Sequence, residues 1–208
     1  KVFSGFLVKQ GFEINPLDNC VANKMIDGKQ CTICWYVDDL KISHVNHKVV
    51  TTIIKIIEAR FGKMNVVRGK HHVYIGVDIK FTNDKKVQLH CKDHLKECID
   101  DFKEDIKVSA STPASRWLFT ISDDAKYLEK DRKENYHSIV MKLLWISKRA
   151  RFDIQLALSF LCTRTNNPDE DDWKKLRRLL QYIYGTIDMV LTLAAEELDV
   201  LRTWVDAS

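Results

Sequence analysis

Residues 31–44, CTICWYVDDLKISH, limit the fold more than any other stretch of this 208-residue chain. Positions 32–37 and 40–43 have the apolar and β-branched content of strands, interrupted only by Asp38 and Asp39. The stretch therefore reads as a tight β-hairpin that carries both carboxylates at its tip. Two adjacent carboxylates repel each other and favour solvation. Such a placement suits a turn in water or half of a divalent-metal site. Upstream, two more strand-like runs, 20–26 and 30–37, join through Asp27-Gly28-Lys29, and Asp-Gly is a strong short-hairpin signal. The runs predict a three-strand antiparallel meander over 20–26, 30–37 and 40–44. Before it, Val2, Phe3, Phe6 and Leu7 share one helical face that ends at Gly11.

Downstream, Asn46 is a good helix cap for Val49, Val50, Ile53, Ile54, Ile57 and Phe61, which recur at helical spacing up to Gly62. A second strand pair follows, 72–81 and 87–91, with a polar turn at 82–85. Leu95, Cys98, Ile99 and Phe102 then keep an amphipathic helical period. The segment 104–132 reads as loop, with Asp123-Asp124 as a turn within it. Beyond it the period is wholly helical, giving three helices in a row: around Tyr136 to Leu144, from Asp153 to Leu161, and after Pro168 from Trp173 to Ile183. Residues 189–193 and 200–205 look like strands of another unit, with Asp206 at the end of the second. The fold class is α+β, an antiparallel sheet with packed helices followed by a helical unit. The expected divisions are 1–91, 92–187 and 188–208.

A hydrophobic content of 45% supports a sizeable core, and no run of about eighteen apolar residues or charged-then-apolar leader reads as a membrane span or signal peptide. The net charge of +4 is mild, so any claim on nucleic acid must rest on local patches. Six scattered cysteines in a chain of this size favour reduced thiols and an intracellular setting, a cytoplasmic particle or the nucleus, rather than secretion. Cys31 and Cys34, three apart on a strand, face opposite sides of a sheet and cannot chelate one ion. His90, Cys91, His94 and Cys98 form a second cluster that a helix-start cap and ordinary core packing explain as well as a metal does. The start at Lys1 and the end inside an apolar strand pattern read as a piece of a longer polypeptide.

Tyr36-Val37-Asp38-Asp39, with apolar residues before it and Leu40-Lys41-Ile42 after it, resembles the polymerase hairpin of reverse transcriptases. Three further features occur in the order of copia-type retrotransposon polyproteins. Tyr74-Ile75-Gly76 lies in a following hairpin. Residues 138–186 run through a Leu-rich helix, Arg151-Phe152-Asp153-Ile154, an Asn-Pro turn, a Trp-led basic helix and a Gly-Thr ending. Thr203-Trp204-Val205-Asp206 resembles the opening strand of a ribonuclease H unit. The family usually has proline where Phe152 stands, a departure that touches helix geometry rather than chemistry.

The resemblance implies a partial polymerase palm, then a helical thumb or connection, then the first strands of ribonuclease H. It implies RNA-directed DNA polymerisation by two-metal nucleotidyl transfer, with Mg2+ or Mn2+ held by Asp38 and Asp39 and supported by Tyr36 and Val37. Tyr74, Ile75 and Gly76 would grip the primer, the glycine letting main chain approach a sugar-phosphate closely. Asp206 would be a metal ligand of the ribonuclease H site. The implied partners are an RNA template, a DNA primer, deoxynucleoside triphosphates, and upstream fingers and palm and downstream ribonuclease H parts of the same polyprotein, with no membrane. Because the family's other catalytic Asp lies on an earlier strand, the 208-residue piece alone is expected to be inactive. Lys148, Arg149, Arg151, Lys174, Lys175, Arg177 and Arg178 are candidates for backbone contacts, against the default of a solvated helix face. The competing reading is a non-catalytic palm-thumb relic that binds nucleic acid or a protein partner.

Overall fold

Asp27 and Gly28 both adopt positive φ, 50° and 70°, the turn that the Asp-Gly pair selects, and the hairpin it closes is the centre of the first of two units. A computed structural model describes residues 1–122 and 124–195. The chain divides into a first unit over Lys1–Gly76 and a second from Val77 onward. The first contains α1 (Val2–Lys9), β1 (Glu13–Ile14), β2 (Val21–Ile26), β3 (Lys29–Tyr36), β4 (Asp39–Ser43), α2 (His47–Phe61) and β5 (His71–Tyr74). Strands β1 to β4 form an antiparallel sheet in sequence order, so the expected meander is present with one short strand added at its edge.

Period-two alternation gives this sheet two unlike faces. Ala22, Cys31 and Ile33 are fully buried with Leu7, Phe12, Ile53 and Ile57, and Trp35, Leu40, Ile42 and Val49 pack against the same core. The helices thus cover one side, α1 adding an edge-on contact of Phe3 with Trp35 at 5.3 Å. The Asn46 side chain caps α2 by accepting from the Lys48 N–H at 2.9 Å. Val49 rather than Val50 supplies the first turn of the α2 core face.

The second unit holds β6 (Val77–Phe81), β7 (Val87–His90), α3 (Lys92–Asp100), α4 (Lys130–Ser147), a 3-10 turn over Phe152–Ile154, α5 (Gln155–Thr163), α6 (Glu170–Gly185) and β8 (Leu191–Leu193). Its core joins Leu95, Cys98 and Phe102 to Tyr136, Leu143, Leu158, Trp173 and Leu180. The helices over 47–61 and 92–100 therefore serve different cores.

Three sequence expectations need correction. The break falls after Gly76 and not after residue 91, because Val77, Ile79, Leu89 and Cys91 pack into the same core as α3 to α6. The run 72–81 is not one strand: Ile75 and Gly76 take positive φ, 51° and 69°, and end β5. Residues 191–193 do not open another unit. As β8 they pair antiparallel with β7, Leu89 opposite Leu191 and Val87 opposite Leu193. The strand expected at 200–205, and Asp206 with it, lie outside the described residues.

Pattern alone leaves 104–132 as loop, yet α4 already begins at Lys130 and part of the segment before it is strapped along α6. The Ala110 N–H donates to the Gln181 carbonyl at 3.3 Å, an Arg178 Nη2 to Thr112 Oγ1 at 2.9 Å, and Lys175 Nζ to the Thr120 carbonyl at 2.6 Å. At the far end a Cβ on Gly185 would stand 2.6 Å from the Cβ of Ser109. An exposed helical Gly→Ala change normally stabilises by about 1 kcal/mol. Here the sign reverses. Gly185→Ala is expected to lower stability by about 1–3 kcal/mol through overpacking, with Ser109→Gly restoring most of the loss. Denaturant melts of the two single variants and the double variant measure it, and a stabilised Gly185→Ala would show that the strap yields freely.

Candidate active site

The hairpin closes one residue earlier than the sequence pattern implied. Tyr36 pairs with Asp39, so Val37 and Asp38 make the two-residue turn and Asp39 opens β4. Val37, expected in the strand, is instead the turn residue with φ 53°, a left-handed conformation that β-branched side chains rarely adopt. Such strain costs of order 1–3 kcal/mol and persists only where the surroundings impose it. Here Val37 is 87% exposed, so no packing of its own side chain compensates.

Register then places the carboxylates. Trp35 and Leu40 are partners on the helix-covered face, so Tyr36 and Asp39, one residue along, share the opposite face with the Cys34–Lys41 and Thr32–Ser43 pairs. That face is polar. Thr32 Oγ1 donates to Asn23 Oδ1 at 2.8 Å, Gln30 Nε2 donates to the same oxygen at 3.0 Å, and Lys41 Nζ reaches Ser43 Oγ at 2.9 Å. Tyr36, Asp38 and Asp39 are exposed at its end. Among the described residues neither carboxylate has a hydrogen-bonding or ion-pairing partner, and Lys41 is held by Ser43 rather than by Asp39.

The Tyr74 phenol links the second motif to the first. Burial, and then the negative fields of Cys34, Asp39, Cys20 and Asp18, push it above the usual tyrosine range. Tyr74 therefore lies within electrostatic reach of Asp39. Ile75 and Gly76 follow it at the turn, where Ile75 is a second β-branched residue at positive φ. Asp18 escapes sequence reasoning. It sits in the loop before β2, where its Oδ1 accepts the Cys20 N–H at 2.8 Å, and only the β2–β3 register carries it toward this edge.

Asp38 and Asp39 fit a divalent cation in donor chemistry, being exposed hard oxygens without a competing cation. They do not complete a cage: no group of three or more His, Cys, Asp or Glu side chains suited to a metal occurs among the described residues. The 90–98 cluster is accounted for by packing and capping. Burial pushes the Cys91 thiol up to about 11 and that of Cys98 up to about 12, while His90 Nδ1 accepts the Lys92 N–H at 2.9 Å.

The basic candidates separate into two kinds. Arg151 is a correction: its side chain is 1% exposed and clamped by Asp153 and Thr186, so its guanidinium is internal. Arg177 faces Glu104 at 3.3 Å, and Arg149 lies over the Trp145 ring and donates to the Trp145 carbonyl. Lys148 is exposed at the end of α4. Lys174, Lys175 and Arg178 line a cavity of about 270 Å3 with Ala114, Ser115 and Leu118.

No family model and no solved structure matches the chain. Curated relatives do, at low identity, and two of them are transposon proteins. The chain is 25% identical over 179 residues to a transposon Ty5-1 protein of Saccharomyces cerevisiae, covering 85% of this chain and 56% of that protein. It is 22% identical over 204 residues to a transposon Ty1 Gag-Pol polyprotein of the same yeast, covering 92% of this chain and 11% of the polyprotein. An uncharacterized mitochondrial protein of Arabidopsis thaliana is 26% identical over 152 residues, 73% of this chain and 60% of its own length. The chain thus spans little more than half the length of two of the curated relatives it matches. No helix among the described residues is long and apolar enough to cross a membrane.

Proposed function

We propose that this chain is the palm and thumb segment of a copia-type reverse transcriptase, acting within a longer polyprotein on an RNA template and a DNA primer. The observation that carries the reading is the exposed carboxylate pair at the end of the polar face of the first sheet, with Tyr74 within electrostatic reach of Asp39. Within the first unit, a sheet with helices on one face and polar side chains on the other presents a surface of the kind that suits a nucleic-acid duplex. Asp38 and Asp39 then stand at its edge, where a primer 3′-hydroxyl and an incoming triphosphate would meet. Strain supports the same positions. Among the described non-glycine residues, the β-branched ones at positive φ are Val37 and Ile75, one in each functional hairpin.

Asp38 and Asp39 would hold Mg2+ or Mn2+, which when bound lowers the barrier by polarising the attacking hydroxyl and neutralising the leaving pyrophosphate. The chain's own residues bind and orient. The carboxylates fix charge at the hairpin edge, Tyr36 lies beside Asp39 on the polar face, and the Ile75-Gly76 turn offers close main-chain approach to the primer backbone. Similarity to a tenth of a Gag-Pol polyprotein supports the view that further ligands lie elsewhere in a longer chain.

The test is primer extension on an RNA template with magnesium, using the 208 residues alone and joined to the upstream polymerase segment of the same reading frame. Extension is expected only from the longer chain. Failure of both, with both folded, leaves the non-catalytic reading. Extension by the 208 residues alone would place the missing oxygen ligand inside them, with Asp18 the first carboxylate to examine.

A further inference from the structure

The segment 112–121 carries large apolar side chains outward beside an excess of positive charge. Trp117 is 59% exposed, Phe119 62% and Ile121 52%, on a segment whose neighbouring turns are held against α6. Such residues normally turn inward, so their position needs a reason. Arg116 lies over the Trp117 ring at 4.6 Å. The Trp117 N–H donates to Ser115 Oγ at 3.2 Å, and Ser115 lines the cavity whose other wall is Lys174, Lys175 and Arg178. Lys175 sits 4.7 Å over the Phe160 ring, which Phe119 meets edge-on at 5.6 Å. Aromatic faces and cations therefore alternate along one surface of the second unit.

The charges are not fully neutralised. Lys174 pairs with Asp171 at 2.9 Å, and Lys175 lies 3.9 Å from Asp172, a carboxylate already bound by Arg164. Arg178 spends one nitrogen on Thr112 Oγ1, whereas its Nε is buried without a hydrogen-bond partner. The guanidinium therefore keeps hydrogen-bonding capacity that the protein leaves unused. An oxyanion in the cavity would meet Lys174, Lys175 and Arg178, the three cations that line it.

We propose that this groove binds single-stranded nucleic acid, with a backbone phosphate in the cavity at Arg178 and Lys175 and a base stacked on Trp117. Single strands fit because their bases are free to stack on exposed rings, whereas paired bases in a duplex present only their edges and backbone. The choice of ligand rests on the polymerase reading, in which an unpaired template must lie near the enzyme. The groove itself is independent of catalysis.

Fluorescence anisotropy of labelled single-stranded 12-mers, DNA and RNA, and of the matching duplex tests it between 50 and 200 mM salt. Lys175→Gln with Arg178→Gln is expected to weaken single-strand binding at least tenfold and to flatten the salt dependence by about 0.7 per lost phosphate contact. Trp117→Ala is expected to weaken it about fivefold or more, the loss of one stacked base. Arg178→Lys, which keeps the charge, should retain much of the salt slope, and Lys130→Gln on α4 should bind like the unaltered chain. Circular dichroism melts confirm that each variant is folded. Equal binding by Trp117→Ala, an equal loss in Lys130→Gln, or tighter binding of the duplex would each overturn the groove. Extension that depends on Asp38 while the groove variants bind unchanged would sink the groove and spare the active site. Groove-dependent binding without any extension would do the reverse.

Discussion

Asp38→Asn is expected to reduce magnesium-dependent primer extension by more than about 100-fold in the chain joined to its upstream segment, and Asp39→Asn to do the same. Even outer partners of a metal typically cost 10–100-fold when removed, and these carboxylates are proposed as direct ligands. Asparagine keeps the shape of the side chain and removes the charge. Because both residues are exposed and unpaired among the described residues, stability should stay within about 0.5 kcal/mol. A folded variant that has lost activity therefore isolates the chemistry. Asp38→Asn that extends primers at the unaltered rate would remove this residue from the mechanism. Lys41→Gln is the matched control: it lies on the same polar face, is held by Ser43, and should change extension only a few-fold.

The hairpin was legible because its signals are local. An apolar run, two acids and another apolar run can hardly form anything else, and the Asp-Gly turn before it fixed the order of β2 and β3. Its exact register was not legible. Nothing in Trp35-Tyr36-Val37 shows that a valine will accept a left-handed φ so that Asp39 can pair with Tyr36, since β-branched residues argue for strand there. The Ile75-Gly76 turn was hidden for the same reason.

Long-range contacts explain the other departures. β8 reads as a free strand until β7 supplies its partner, and Asp18 looks like an ordinary loop residue until pairing brings it toward Cys34. The basic residues show the limit most plainly. Lys148, Arg149 and Arg151 form one charged cluster in sequence, but at the fold level they point to different surroundings. Helical periodicity could not reveal this, because α4 ends at Ser147 and the irregular chain after it turns inward at Ala150 and Arg151, ahead of the 3-10 turn over Phe152–Ile154.

That inward turn makes Arg151 the residue whose loss should cost most in stability. Its Nε and Nη2 bind the Asp153 carboxylate side-on at 2.9 and 2.8 Å. Nη1 and Nη2 also reach the carbonyl and hydroxyl of Thr186, at 3.2 and 2.7 Å, where α6 ends. A buried cation thus joins the start of α5 to the carbonyl end of α6, where the helix dipole favours positive charge. Arg151→Met keeps the length and the apolar stem but leaves Asp153 without its cation and takes one donor from the Thr186 carbonyl, which keeps the Met189 N–H. The expected loss is about 3–5 kcal/mol, or a Tm lower by about 10 °C. The pH dependence distinguishes this from simple packing loss. Burial alone would raise the Asp153 carboxyl, but the Arg151 guanidinium outweighs it and holds the carboxyl below the usual range. A depressed folded value adds stability above the unfolded carboxylate value of about 3.9 and loses it as pH falls through the folded one. In Arg151→Met burial is opposed only by the Tyr182 and backbone hydrogen bonds, so the charged carboxylate is less favoured at neutral pH and protonation in acid relieves part of the cost. The gap between the two proteins should therefore be widest near pH 7 and narrow toward pH 3, and Arg151→Met with Asp153→Leu should recover part of it. A gap independent of pH, with no recovery in the double variant, would mean that Arg151 contributes through its stem and not through its charge.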